Sequence, residues 1–130
     1  MLKFKFLLWA LTKLLQRAVN KDPACAKYVA GKELVFQIQT KSGTGRHFSI
    51  KNGKVTSIAG LTRSPAFAMT FKDAARGFAT LSAKNSKEAF LAALHDEDLV
   101  ISGDFVEVMW FQGLTEYLQS KTPEAFGHAI

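Results

Sequence analysis

Cysteine is nearly absent. Cys25 stands alone in 130 residues, so no internal disulfide can form, which suits a reducing compartment. Long apolar runs are missing as well. A membrane-spanning helix needs about 20 apolar residues, and the run from Phe6 to Leu11 in MLKFKFLLWALTKLL stops at Thr12-Lys13. That stretch begins basic and then oily, as secretory signals do. No small-x-small cleavage site follows promptly, and Pro23-Ala24-Cys25-Ala26 comes too late, so a signal peptide is not expected. Acidic side chains are scarce early on: residues 1 to 76 hold 14 Lys and Arg against three Asp and Glu. Residues 77 to 130 reverse this with three against eight, which leaves the net charge of +6. A basic first part points to an anionic partner (phospholipid headgroups, nucleic acid or an acidic protein) unless the two parts interleave in the fold.

Catalytic equipment is lacking too. His47, His95 and His128 are scattered, with no metal-ligand spacing. His95-Asp96-Glu97-Asp98 is the one acidic cluster; its carboxylates could hold a divalent cation, but it reads better as a solvated loop ahead of a strand. Cys25 follows a proline without a histidine placed to activate it. No Gly-x-Ser-x-Gly elbow occurs. Lys41-Ser42-Gly43-Thr44-Gly45 is not a phosphate loop, because it joins two strands and no Gly-Lys-Ser/Thr opens a helix after it. Neither an enzyme nor a cofactor is expected.

What is present is a globular composition, 48% hydrophobic and 22% charged, in a chain long enough for one real core. Residues 3 to 19 have helical periodicity. Phe4, Leu7, Leu8, Leu11, Leu14, Leu15, Ala18 and Val19 share one face. The opposite face carries Lys3, Lys5, Lys13 and Arg17 together with Phe6 and Trp9, a mixture that fits a helix resting on lipid headgroups. The oily arc alone is also wide enough to dock the helix on its own domain. Asp22-Pro23 reads as an N-cap with proline in the first turn of a short helix that Gly31 stops.

The period then changes to two. Leu34, Phe36 and Ile38 alternate with neighbours, as do Phe48 and Ile50, and Asn52-Gly53 is a strong hairpin signal. Residues 33 to 59 read as a three-stranded meander, and Phe67, Met69 and Phe71 mark a fourth strand. Asp73 caps a helix from 74 to about 83 that carries Phe78 and Leu81 inward. Asn85 and Glu88 form a capping box for a helix with Phe90, Leu91 and Leu94. Leu99 to Ser102 is a fifth strand. Asp104 and Glu107 look like a second capping box opening the last helix. Its polar residues Gln112, Thr115, Glu116 and Gln119 share an arc, with Trp110, Leu114, Tyr117 and Leu118 opposite. Phe105 and Val108 fall on the polar arc, so the helix starts oily on every side. Something must cover that start: the first helix, a partner or an apolar ligand. The whole is an α+β plan.

The run from Val29 to Leu118 resembles the sterol carrier protein type 2 family. GKELVFQI is similar to its opening strand, FSIKNGKV to its second and third strands, and AFAMTFKDAARGFATLSAKNSKEAF to its fourth strand and helix pair. LVISGD before an apolar helix resembles its closing strand and helix and is the most specific piece. Two features depart from the family pattern. A Gly and a basic residue usually precede the last strand where this chain has His95-Asp96-Glu97-Asp98, and the first helix has no strong equivalent.

The resemblance implies a five-stranded, mostly antiparallel sheet with helices over one face enclosing an apolar tunnel. With the helical periodicity before it and the tail from Pro123 after it, the chain is expected to divide into an amphipathic helix over 1–22, a lipid-binding domain over 23–122 and a flexible tail over 123–130. It implies a non-catalytic carrier of phospholipid, fatty acyl, sterol or prenylquinone-type ligands, and some small bacterial members look like accessory factors in ubiquinone biosynthesis. The expected lining is Phe36, Ile38, Phe48, Ile50, Met69 and Phe71 from the sheet, and Phe78, Leu81, Phe90, Leu94, Phe105, Val108, Met109 and Phe111 from the helices. Lys3, Lys5, Phe6, Trp9, Lys13 and Arg17 are the expected contacts to an anionic membrane surface, and the expected location is cytoplasmic, with peripheral contact at the inner membrane. A protein partner or a second copy is the alternative cover for the apolar helices. Basic strands with Phe36, Phe48 and Phe71 could stack bases, but these rings share the parity of Leu34, Ile38 and Ile50, a core pattern, so nucleic acid is not expected.

Overall fold

The computed structural model describes residues 2–121; the expected tail over 123–130, with His128, lies outside the described residues. The elements run α1 (Leu2–Lys21), α2 (Pro23–Val29), β1 (Leu34–Thr40), β2 (Gly45–Lys51), β3 (Lys54–Ala59), β4 (Phe67–Phe71), α3 (Ala74–Leu81), α4 (Ser86–His95), β5 (Leu99–Gly103) and α5 (Phe105–Lys121). The strands form one sheet in the order β3-β2-β1-β4-β5. Only β1 and β4 pair in parallel, and the other three pairs are antiparallel. The fold is therefore α+β with a mostly antiparallel sheet.

Local chemistry explains the element ends. Asn52 and Gly53 have φ of 54° and 74°, the paired positive values of a type I′ hairpin. Asp22 accepts from the Ala24 N–H, Asp73 from Arg76 and Asn85 from Glu88, so three helices start on side-chain caps. Asn85 Nδ2 also donates to Glu88 Oε2 at 3.0 Å, which completes that capping box. The second expected box is half formed. Asp104 Oδ1 accepts from Val106 N at 3.0 Å, but the Glu107 carboxylate turns away to pair with Lys32. An opposite charge offers Glu107 more than the cap N–H does.

Alternation along the strands sends one parity toward the helices. Phe36 lies opposite Phe48 on β2 and Phe67 on β4, and its ring stacks on both, with centroids 5.1 and 4.9 Å away. Phe111 of α5 closes on Phe36 from above at 4.6 Å. On the other sheet face the segment after β3 crosses behind β1: Thr62 N donates to Gln37 Oε1 at 2.9 Å and Ala66 N to Val35 O at 2.7 Å.

The first helix belongs to this core. Phe4, Leu7, Leu8, Leu11, Leu15 and Val19 are all buried, in one cluster with the strand residues. Phe4 sits edge-on to Phe71 at 6.4 Å, and a Cβ on Gly77 of α3 would stand 2.6 Å from the Phe4 ring. The missing side chain at Gly77 is what lets α3 approach α1. The α2 helix is tied to α5 by Tyr28, whose hydroxyl donates to Trp110 O at 2.7 Å and whose ring stacks on Trp110 at 5.2 Å.

Candidate functional site

The six strand residues expected to line a cavity, Phe36, Ile38, Phe48, Ile50, Met69 and Phe71, are all buried on the helix-facing side. Phe67, which the pattern marked only as strand, joins them as a stacking partner of Phe36. Among the helix residues, Phe90, Val108 and Phe111 are buried, and Phe78, Leu81 and Leu94 pack against the core from its margin. Phe105 and Met109 do not face the sheet. They are 51% and 43% exposed, and Val106 beside them is also exposed. Val108, placed by the sequence on the polar arc, is instead fully buried, and Gln112 is carried inside with it. The cause is that α5 is gripped on two sides. Phe111 meets the sheet while Trp110 meets Tyr28 of α2, so its buried arc is wider than one stripe.

The site is therefore a layer between the sheet and the helices, with the apolar arc of α1 lying in it. Among the described residues, pockets of about 340 and 270 Å³ lie between α1 and the β2 and β3 strands, and one of about 420 Å³ lies between α1, α2 and α5. The first lies at Lys5 and Leu8, the second at Gln16 and Val19, and the third along Leu14, Ala18 and Tyr117. Polar contacts between α1 and β3 are few and specific. Thr12 Oγ1 is 2.7 Å from Ser57 Oγ, and Gln16 Nε2 donates to Val55 O at 2.8 Å.

The outer face of α1 is as the periodicity implied. Phe6 and Trp9 are 65% and 45% exposed, with ring centroids 5.7 Å apart, and Lys13 Nζ stands 5.8 Å over the Trp9 ring. Lys3, Lys5, Lys13 and Arg17 are exposed on the same side, and among the described residues none of them has a carboxylate partner. At 100° per residue Leu2, Phe6 and Trp9 form a ridge, with Lys3 and Lys5 on its two flanks.

The groups that could do covalent chemistry are placed otherwise. Cys25 is buried, and burial followed by the nearby Asp22 carboxylate pushes its thiol pKa up, away from the thiolate that a nucleophile needs. Burial, then Tyr117 and Glu116, likewise raises the Tyr28 phenol. The acidic cluster does not converge: Asp98 turns to Arg76 at 3.0 Å, while Asp96 lies beside His95. Among the described residues no group of three His, Cys, Asp or Glu is arranged to hold a metal ion, and no helix is long and apolar enough to cross a membrane.

One feature of the site escaped the pattern reading. Arg46 has the parity of Phe48 and Ile50, so its guanidinium stands on the core side of β2, beneath α1. The alternation that placed Phe48 and Ile50 inward was signal enough to find it.

No protein-family model matches the chain, and no curated protein matches it in sequence. Solved structures do match. A protein described as "UbiJ-SCP2 Ubiquinone synthesis protein" superposes with a TM-score of 0.65 at 15% identity, over 91% of this chain and 95% of its own. A crystal structure of sterol carrier protein 2 matches with a TM-score of 0.56 at 15% identity, over 85% and 94%. The sterol carrier protein domain 2 of Helicoverpa armigera matches with a TM-score of 0.55 at 16% identity, over 88% and 89%. With its five-stranded sheet, its helices gathered on one face and these neighbours, the chain carries the sterol carrier protein 2 fold.

Proposed function

We propose that this chain is a non-catalytic lipid carrier, in which α1 is the movable wall of the lipid site. The observation that supports this reading is that pockets lie along the flanks of α1, while its apolar arc packs in one buried cluster with the aromatic strand face of Phe36, Phe48, Phe67 and Phe71. The magnitudes are compatible. Burying one CH₂ is worth about 0.8 kcal/mol, so a sixteen-carbon chain offers roughly 12 kcal/mol. The six buried apolar side chains of α1 are worth roughly 9–18 kcal/mol at about 1.5–3 each. A single acyl or isoprenoid chain can thus replace a large share of what α1 gives up when it shifts.

The ligand classes this supports are phospholipid, fatty acyl, sterol and prenylquinone-type chains. The likeness to a ubiquinone synthesis protein favours the last as part of an accessory role in ubiquinone biosynthesis. The outer face of α1, with Phe6 and Trp9 among lysines that have no carboxylate partner among the described residues, is the surface that meets anionic membrane. Titration with a fluorescent polyene fatty acid tests the reading: emission should rise and saturate near one probe per chain. Emission that stays at its value in buffer would refute it.

A second reading has its own observation. Phe105, Val106 and Met109 form an exposed apolar start to α5, which suits an interface with a protein partner or a second copy. Light scattering at graded concentrations separates the two: assembly through α5 gives a mass above 14.3 kDa that Val106→Glu lowers, with probe uptake unchanged.

A further inference from the structure

We propose that the pocket at the N-terminal end of α1 is an anion site, built to take the phosphate or carboxylate head of an amphiphile. Its volume is about 340 Å³, and it lies between Lys5 and Leu8 of α1 on one side and Gly45, Arg46 and Gly60 on the other. The tail placement rests on the lipid-carrier reading above; the anion site itself does not.

Arg46 is the centre of the argument. It pairs with Ile38 across the β1–β2 ladder and is partly buried on the core side of the sheet. Its Nε donates to Ser57 Oγ at 2.6 Å. The chain of hydrogen bonds runs on in one direction, from Ser57 to Thr12 Oγ1 at 2.7 Å and from Thr12 to Leu8 O at 3.0 Å. It ends on a carbonyl, so the guanidinium is held in place but not neutralised. Among the described residues no carboxylate pairs with Arg46. A partly buried cation loses hydration and needs a counter-charge to recover it, and the planar fork of Arg suits an oxyanion.

Lys5 supplies a second cation across the pocket, again with no carboxylate partner among the described residues. The start of α1 has no acidic residue, and Lys3 and Lys5 stand where the helix dipole disfavours positive charge. An anion bound in the pocket relieves that conflict at Lys5, the one of the two lysines that lines it. The pocket is not purely polar: Leu8 lines it and is also a member of the core cluster. An anionic head held by Arg46 and Lys5 would therefore point its chain under α1.

Calorimetric titration of the full chain with oleate, oleyl alcohol and inorganic phosphate tests this, with Arg46→Gln and Lys5→Gln alongside. Charge-assisted contacts should make oleate bind about tenfold tighter than oleyl alcohol. Each substitution should erase most of that difference and leave oleyl alcohol unchanged. Lys5 is exposed, so Lys5→Gln keeps the test open if Arg46→Gln melts early. Equal affinities for oleate and oleyl alcohol would overturn the anion site and leave the carrier reading standing. Phosphate binding that Arg46→Gln abolishes, with neither amphiphile bound, would support the anion site as one for a free anion and overturn the carrier reading. No binding of any of the three would overturn both.

Discussion

Pinning α1 to the sheet should slow lipid uptake at least tenfold. Thr12 and Ser57 bring their hydroxyl oxygens within 2.7 Å of each other, from the middle of α1 to β3. Cysteines at both positions therefore start close to disulfide geometry. The native Cys25 is buried with a raised thiol pKa, so it competes little for the bridge. Thr12→Cys with Ser57→Cys should fold in both redox states. When reduced, it should still take up the polyene fatty acid, with any loss relative to the native chain reporting the missing Ser57 hydroxyl that holds Arg46. When oxidised, the uptake rate should fall at least tenfold, because α1 cannot yield its place in the layer without moving relative to β3. Dithiothreitol should restore it in the same sample. Stopped-flow fluorescence gives the rates, and equal rates in the two states would show that the lipid enters without α1.

The second large effect is on membrane docking. The outer face of α1 carries Lys3, Lys5, Lys13 and Arg17 without carboxylate partners among the described residues. Each cation near an anionic surface contributes about 1 kcal/mol. Lys3→Gln with Lys13→Gln should then weaken partition onto phosphatidylglycerol vesicles by about 2 kcal/mol, roughly 30-fold. Phe6→Ala with Trp9→Ala should weaken it through lost burial, and this loss should persist at high salt, where the lysine contribution is screened. None of the four side chains belongs to the core cluster, so the melting temperature should stay near native. Vesicle sedimentation at low and high salt checks both pairs. Sedimentation unchanged by either would remove the membrane from the account.

Much of this could be read from residue order. The alternation of Leu34, Phe36 and Ile38, and of Phe67, Met69 and Phe71, set the buried face of the sheet before any pairing was known. Asn52-Gly53 located its hairpin, and Asp22, Asp73 and Asn85 located three helix starts, because each signal is local. What was not legible depends on neighbours distant in sequence. Nothing near β4 announces that it lies parallel to β1 and not beside β3. The wheel of α5 put Val108 on the polar arc because a wheel assumes one buried stripe, whereas Tyr28 and the sheet bury α5 from two directions. Glu107 was read as a cap because Lys32, 75 residues away, could not be seen as its partner. Arg46 was legible by parity as a strand residue in step with Phe48 and Ile50, but a cation on a core face is unexpected until its bond to Ser57, and that of Ser57 to Thr12, appear.

The same parity underlies the central claim, that the apolar layer beneath α1 exists to hold lipid. Native purification followed by organic extraction and lipid mass spectrometry tests it most directly. The account predicts one phospholipid, fatty acid or prenylquinone-type molecule per chain, enriched over its share of the host membrane. An extract with no lipid above background, from protein that also refuses the polyene fatty acid, would contradict it and leave the layer as ordinary core.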